Sequence, residues 1–270
     1  MMKNKISLLL ATLMMLAAGG TESFANDAEP VKTENTQTWN LIISPYVWAA
    51  SLNGNAALAG RYSHVDIPFS DVIHHLDYAL MGNVELTNSQ WGVYGDFQHV
   101  QTSQKEKVYQ QTLGLRVTTT NIAFGAYYRI FEQPLGGDTV FGRPRRIAIE
   151  PTAGVRWTKL NVHAKAIGLQ TVKRADWFDP FVGLRISADL TDRWNLFVSG
   201  NVGGFGAGSD ISYDVQAYLG YRTFIFGQPT ILRMGYRWLY QDYESDDFTG
   251  NKFRWKINQH GPAIGFSMRF

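Results

Sequence analysis

Residues 251–270 read NKFRWKINQHGPAIGFSMRF, and their second half decides the fold. Ile264, Phe266, Met268 and Phe270 fall on one face at period two, with Ala263, Gly265, Ser267 and Arg269 on the other. A soluble domain has little use for so apolar an end with a charge interleaved. The closing strand of a transmembrane β-barrel needs it. Its apolar residues meet lipid, its small and polar residues face the lumen, and pairing with the first strand leaves no edge. A soluble sandwich can also end this way, so the rest of the chain has to decide.

Upstream, the same alternation recurs. Leu41, Ile43, Pro45 and Val47 oppose Ser44, Tyr46 and Trp48, and Tyr78, Leu80, Val84 and Leu86 oppose Asn83 and Glu85. A tight turn at Asn88-Ser89-Gln90 leads to Trp91, Val93, Gly95 and Phe97, opposite Tyr94, Asp96 and Gln98. The next segment, Leu113 to Ile130, slips phase near Asn121, which predicts a bulge. Further segments start near Ile147, Phe178, Trp194, Ile211 and Leu232, with tight turns at Thr191-Asp192-Arg193 and Gly227-Gln228-Pro229. The total is about ten antiparallel strands, with eight or twelve as alternatives. Residues 55–77 read as an extra strand with a short helix at Ser70 to Leu76, or as one long first loop. An even strand count favours the loop. The connection Phe131 to Arg146 is too long for a barrel's short-turn side.

The polar faces carry Arg, Asp, Asn, Tyr, Ser and Gly, while lysine is expected in loops. Trp91, Trp157, Trp194, Tyr221, Trp238 and Tyr240 lie near strand ends, where aromatic girdles form at a membrane interface. Both features favour the barrel over a sandwich.

The start of the chain agrees. Lys3 and Lys5, an apolar stretch from Leu8 to Ala18 and the small-x-small site Ser23-Phe24-Ala25 predict a signal peptide over 1–25, cleaved after Ala25. The apolar stretch is too short for a spanning helix, which needs ~20 residues. Residues 26–38 are polar and read as a mobile periplasmic lead-in, leaving 39–270 for the barrel. The absence of cysteine removes disulfide scaffolds and thiolate metal sites. A formal charge of +2 is too small for a nucleic-acid binder.

Three motifs carry a resemblance: Trp177-Phe178-Asp179-Pro180-Phe181-Val182-Gly183-Leu184-Arg185, Val202-Gly203-Gly204-Phe205-Gly206-Ala207-Gly208-Ser209-Asp210, and Gly261-Pro262 through Arg269-Phe270. Pro45-Tyr46-Val47-Trp48 with Phe69-Ser70-Asp71-Val72-Ile73 adds to them. Together they resemble an uncharacterised family of Gram-negative outer-membrane β-barrel proteins. The resemblance implies a fold and a location in the cell outer membrane. It carries no activity and no catalytic residues.

The strand phases turn Glu85, Asp96, Glu150, Asp179, Asp189 and Asp214 inward, together with Arg129, Arg156, Arg185, Arg222, Arg233, Arg237 and Arg269. Near-equal numbers of the two signs predict a salt-bridged lumen that blocks passage. The alternative is a small selective channel or lumenal ligand binder lined by Arg222, Arg233, Arg237 and Arg269. A remote third reading is a lipid-modifying hydrolase. Barrel lipid hydrolases resemble one another in a His-x-Ser pair, which this chain lacks. His99 and Ser103 share a face but stand too far apart for a direct hydrogen bond. His64, Asp66, His74, His75 and Asp77 gather in one segment without a recurrent ligand spacing, so no metal or cofactor is assigned. The glycine run at 203–208 joins two strands with no helix behind it and reads as a hairpin loop rather than a phosphate cradle. Expected partners are outer-membrane lipid and lipopolysaccharide, contacted by loop cations Lys105, Lys107, Lys165, Lys173 and Arg174, and the barrel-assembly machinery. The last is implied by the likeness of Ile264, Phe266, Met268 and Phe270 to a carboxyl-terminal assembly signal. The expected state is a monomer.

Overall fold

Period-two alternation becomes a ring of antiparallel strands. The computed structural model describes residues 39–58, 60–108, 111–166, 169–247 and 250–270. The expected signal peptide (1–25) and lead-in (26–38) lie outside the described residues. The strands are β1 (Asn40–Trp48), β2 (Ser51–Leu58), β3 (Arg61–Ile67), β4 (Leu76–Thr87), β5 (Trp91–Val108), β6 (Gln111–Tyr128) and β7 (Phe131–Asp138). They continue as β8 (Pro144–Ala166), β9 (Leu169–Asp189), β10 (Trp194–Gly204), β11 (Ile211–Ile225), β12 (Gln228–Asp246) and β13 (Lys252–Arg269), with one short helix α1 (Phe69–His74). Ten of these strands close a barrel in the order β1-β4-β5-β6-β8-β9-β10-β11-β12-β13, and β13 returns to β1. It is a transmembrane β-barrel fold.

The remaining strands decorate its two ends. At one end, here called the base, tight turns join the strands. Asn88 Oδ1 accepts from the backbone N–H of Gln90 and of Trp91 (3.0 and 2.7 Å) to make the first of them. Phe226 and Gly227 both take positive φ (51° and 78°), the signature of a two-residue hairpin turn. That turn sits just before the expected Gly227-Gln228-Pro229, because Gln228 and Pro229 already pair with Ile225 and Phe224. β7 pairs with the first residues of β8, from Phe131↔Ile149 onward, so the long 131–146 connection is a hairpin. Its tip reaches across the mouth of the base. Val140 donates its N–H to the Asp192 carbonyl (3.1 Å), the Phe141 and Phe224 rings meet edge-on at 5.3 Å, and Arg143 reaches Asn40 (3.4 Å) on β1.

At the other end, the crown, β2 takes over from β1 along β13. β1 runs from Ile42↔Arg269 to Trp48↔Ala263, and β2 resumes at Ser51↔His260. A Cβ on Gly261 would meet the Ala49 carbonyl at 1.9 Å, so glycine is required where the chain steps across. β3 folds back on β2, and α1 returns the chain to β4. The segment is therefore a hairpin and helix rather than the long loop that strand parity favoured. Parity survives because β2 continues β1's place beside β13 instead of adding a stave.

Alternation fixes the faces. Phe178 is 58% exposed, whereas Trp177 and Asp179 on either side are 4% and 0%. In the lower part, the outward residues form an apolar band between two aromatic rows. Trp91–Tyr128 and Trp194–Tyr221 pair near the base; Trp157–Phe178 and Tyr213–Trp238 pair near the crown. Eight residues separate Tyr221 from Tyr213, which at ~3.3 Å each on a strand tilted ~40° spans roughly 20 Å, close to a bilayer's apolar height.

Above that band the faces exchange polarity without changing phase. On β8 the inward set runs from Glu150, Thr152 and Arg156 to Leu160 and Val162, while the outward set runs from Ile149, Val155 and Trp157 to Lys159, Asn161 and His163. β13 does the same, with Phe253, Trp255 and Ile257 inside and Lys252, Arg254 and Lys256 outside. This inversion explains the apparent slip near Asn121. The ladders of β5–β6 and β6–β8 run unbroken through it, and there is no bulge. Inside the crown, Leu160, Ala175, Trp177, Phe253, Trp255 and Ile257 form an apolar core, backed by Leu52, Val65, Val117, Val162 and Tyr243. Trp177 stacks on Tyr243 with centroids 4.1 Å apart. The crown is closed by its own core.

Candidate functional site: the charged lumen

Below the crown core, buried Thr158 links Asn121 (2.8 Å) and Gln241 (2.7 Å), so three strands meet in a hydrogen-bonded polar layer. Beneath it lies the main charge cluster. Asp214 on β11 receives Arg237 bidentately, Nε at 3.0 Å and Nη2 at 2.6 Å, and also Arg156 Nη2 at 3.4 Å. Arg237 extends Nη1 to Asp96 (3.1 Å) and to the Tyr46 hydroxyl (2.9 Å), which itself donates to Asp96 at 3.0 Å. Arg156 also donates to Asn201 at 2.7 Å. Arg156, Asp214 and Arg237 are each less than a tenth exposed, so the planar guanidinium forks supply donors that water does not.

A second cluster lies toward the base. Arg185 on β9 donates to Glu85 on β4 (2.9 Å), and Tyr127 donates to the same carboxylate (2.6 Å) while its ring centroid lies 3.8 Å from the guanidinium carbon. Arg129 holds Glu150 (2.6 Å) and Glu132 (2.8 Å), and Arg146 holds Glu132 (2.9 Å). Arg222 pairs with Asp189, whose other oxygen accepts the backbone N–H of Arg146 at 3.0 Å. Many of these links join strands that are not neighbours in the wall, so they cross the lumen. Between them is a cavity of about 210 Å³ lined by Glu85, Asp96, Arg185, Tyr218, Arg233 and Arg237 among others.

Three charges behave otherwise. Asp179 has no ion pair among the described residues; it accepts from the Ser209 N–H (2.7 Å) and hydroxyl (2.8 Å) and from the Trp177 indole (3.2 Å). It therefore ties two sequence motifs together and tucks the β10–β11 loop against the wall. A Cβ on Gly208 would meet the Phe178 carbonyl at 2.2 Å, which accounts for a glycine there. Arg233 and Arg269 line the cavity with no ion pair among the described residues.

Residue-level reading missed Tyr46, Tyr127 and Asn201 as partners, and it missed Glu132 and Arg146 altogether. The first three lay on the correct face but carry no charge. The last two stood in a segment read as a connection.

The lysines expected in loops stand on crown strands instead, because β8 and β9 run 23 and 21 residues. The side chains of Lys105, Lys107 and Lys165 lie outside the described set. On β12–β13 the outward cations are neutralised: Lys252 by Asp246 (2.9 Å), Lys256 by Asp242 (2.7 Å) and Arg254 by Glu244. Hydrogen bonds to Asp242 and then Tyr240 hold the Lys256 ammonium above the ordinary lysine range. On β6–β8–β9 they are not. Arg116 lies opposite His163 and donates to Ser103 (3.1 Å), which in turn holds Asp77; Arg174 lies opposite Asn161, and Lys159 sits 5.9 Å over the Trp157 ring with Asp176 opposite it. None of the cations Arg116, Lys159 and Arg174 has a direct salt bridge among the described residues.

His64, His74, His75 and His99 are locally engaged. His99 meets Tyr78 and Thr120 at 2.8 Å each, Ser103 donates to Asp77 at 2.6 Å, and His64 contacts Asn55 at 3.3 Å. His75 bonds the Asp71 carbonyl at 2.8 Å and His74 that of Ser70.

No protein-family model matches the chain, and no curated protein matches it in sequence. Solved structures do resemble it. The outer membrane protease OmpT from Escherichia coli aligns over 87% of this chain and 97% of its own, at 9% identity and a TM-score of 0.47. Ail, the attachment invasion locus protein of Yersinia pestis, aligns over 86% and 98% at 10% identity and 0.33. Neisserial surface protein A aligns over 86% and 97% at 9% identity and 0.33. The likeness is one of fold.

Proposed function

We propose that the chain is a monomeric outer-membrane β-barrel with a closed lumen, whose role is structural or interactive rather than transport or catalysis. One observation carries the reading: arginine–carboxylate links cross the lumen beneath an apolar crown core, while the 131–146 hairpin spans the base. Each buried charge is stabilised by its partner and strongly penalised without it, so the links resist being pulled apart to let a solute pass through the barrel. Ten strands also enclose less space than the 16–18 of open porins. Planar-bilayer recording provides the test. The purified protein is expected to give no steady conductance. Steady steps whose ion selectivity changes in the pair Arg233→Ala with Arg237→Ala would replace this reading with a small selective channel.

The outer face supports an interaction with lipopolysaccharide phosphates. Arg116, Lys159 and Arg174, with His163 among them, stand just above an aromatic row, at headgroup height, and outnumber the acids near them, Asp176 opposite Lys159 and Asp77 behind Ser103. The expected result is that lipopolysaccharide co-purifies with the protein and is lost when Arg116, Lys159 and Arg174 are all replaced by Gln. Retention by the triple variant would sink this contact.

A further inference from the structure

Among the described residues, the inward acids of the charged lumen are already engaged. Glu85, Asp96, Glu150, Asp189 and Asp214 each hold at least one arginine, and Asp179 takes neutral donors. Arg233 and Arg269 are left over, and of these two it is Arg233 that has a buried nitrogen without a hydrogen bond. Arg233 projects inward from β12, its Nε has neither solvent nor a hydrogen-bond partner, and its guanidinium carbon lies 6.0 Å from the Phe197 ring centroid. Glu85 cannot serve it fully, being shared by Arg185 and Tyr127. The Nε of Arg185 is also buried without a hydrogen bond, its approach to Glu150 being an ion contact at 3.5 Å. Both arginines line the same cavity of about 210 Å³, along with Tyr218. A cavity of ~150 Å³ is enough to take a benzene-sized molecule, so this one has room for a small ligand. A half-buried guanidinium whose Nε is shut off from water and which has no carboxylate of its own calls for an anion, and its fork matches two oxygens of one group.

We propose that the chamber binds a small oxyanion, a carboxylate or phosphate group, with Arg233 as its principal donor and Arg185 completing the site. Binding adds negative charge beside Arg233, whose acidic neighbour Glu85 is already taken by Arg185 and Tyr127. It leaves the crossing ion pairs intact and is independent of whether the lumen conducts. Steady conductance together with saturable binding would sink the closed-lumen reading and keep this one.

The test uses the full barrel folded in detergent. Thermal unfolding midpoints are followed as sodium phosphate, or sodium acetate, is titrated against sodium chloride at matched ionic strength. A saturable rise of roughly 4 °C or more is expected with phosphate, acetate or both, by linkage of binding to folding. Response to phosphate alone assigns a phosphoryl ligand, and response to acetate alone a carboxylate. The rise is expected to vanish in Arg233→Gln and to persist in Arg254→Gln on the outer rim. Equal midpoints in chloride and oxyanion, or an undiminished rise in Arg233→Gln, would overturn the site. Should Arg233→Gln fail to fold, as judged by loss of heat-shifted gel migration, Arg233→Lys keeps the charge and removes the fork. A tenfold or greater increase in half-saturating concentration is then expected, and an unchanged value overturns the proposal.

Discussion

Asp214 is the keystone acid of the lumen, since Arg156 and Arg237 both end on it. Replacing it with Ala leaves two buried guanidinium groups without their shared partner, at a cost of about 3–5 kcal/mol. Urea unfolding of the detergent-folded variant checks this, and a loss below ~1 kcal/mol would show that water solvates the cluster. Asp179 makes a contrasting case. Asp179→Ala removes the acceptor for Ser209 and the Trp177 indole, and about 1–3 kcal/mol is expected for the orphaned buried donors. The β10–β11 loop should then become the first site of proteolytic cleavage. Which residues point inward was legible, because period two translates directly into faces. Who pairs with whom was not. Asp96 and Arg237 are 141 residues apart, and their meeting depends on ring closure that no local pattern encodes.

The exchange of polarity along a single strand is the central fact at the level of elements. Below it the solvent for the outer face is apolar; above it the outer face meets water, and the apolar side chains turn to one another. β8 obeys one geometric phase throughout, and only the environment changes. A pattern rule that assigns faces by hydrophobicity therefore reads a change of environment as a change of register, which is how the bulge near Asn121 came to be expected. The strand count was readable for the opposite reason: tight turns such as Asn88–Gln90 are local. The crown hairpin was not, since residues 51–67 need β13 as a template. Trp177→Ala should cost about 3–5 kcal/mol by emptying the crown core, with limited proteolysis confined to crown hairpins. Normal crown protection in that variant would show the core to be dispensable. The crown rim has a pH signature as well. The raised Lys256 pKa means that its pairing with Asp242 contributes fully below the ordinary lysine value and is lost as pH rises through the folded value. Crown amide exchange, corrected for its intrinsic pH dependence, should thus loosen only at strongly alkaline pH, and Lys256→Gln should abolish the step.

For the whole molecule, closure depends on a seam between chain segments far apart. Ser44 and Ser267 meet there through their hydroxyls at 2.7 Å, 223 residues apart in sequence. The seam is short, running only from Ile42↔Arg269 to Trp48↔Ala263 before β2 takes over. Deleting Phe270 is expected to reduce the yield of folded barrel far more than the stability of barrel that has folded, read as heat-shifted protein against its unfolding midpoint. Equal assembly of the deletion variant would remove the signal role from the carboxyl terminus. The same residues bear a second obligation. Ile264, Gly265, Met268 and Arg269 offer their backbone edge to β1 in the finished ring. An assembly factor that grips this strand by its edge must compete with the chain's own first strand for the same amides and carbonyls. Recognition and completion are then mutually exclusive states of one ladder. A cue read from that edge would be displayed only while the barrel is unfinished, and the arrival of β1 would erase it, so release would need no further trigger than the last pairing itself.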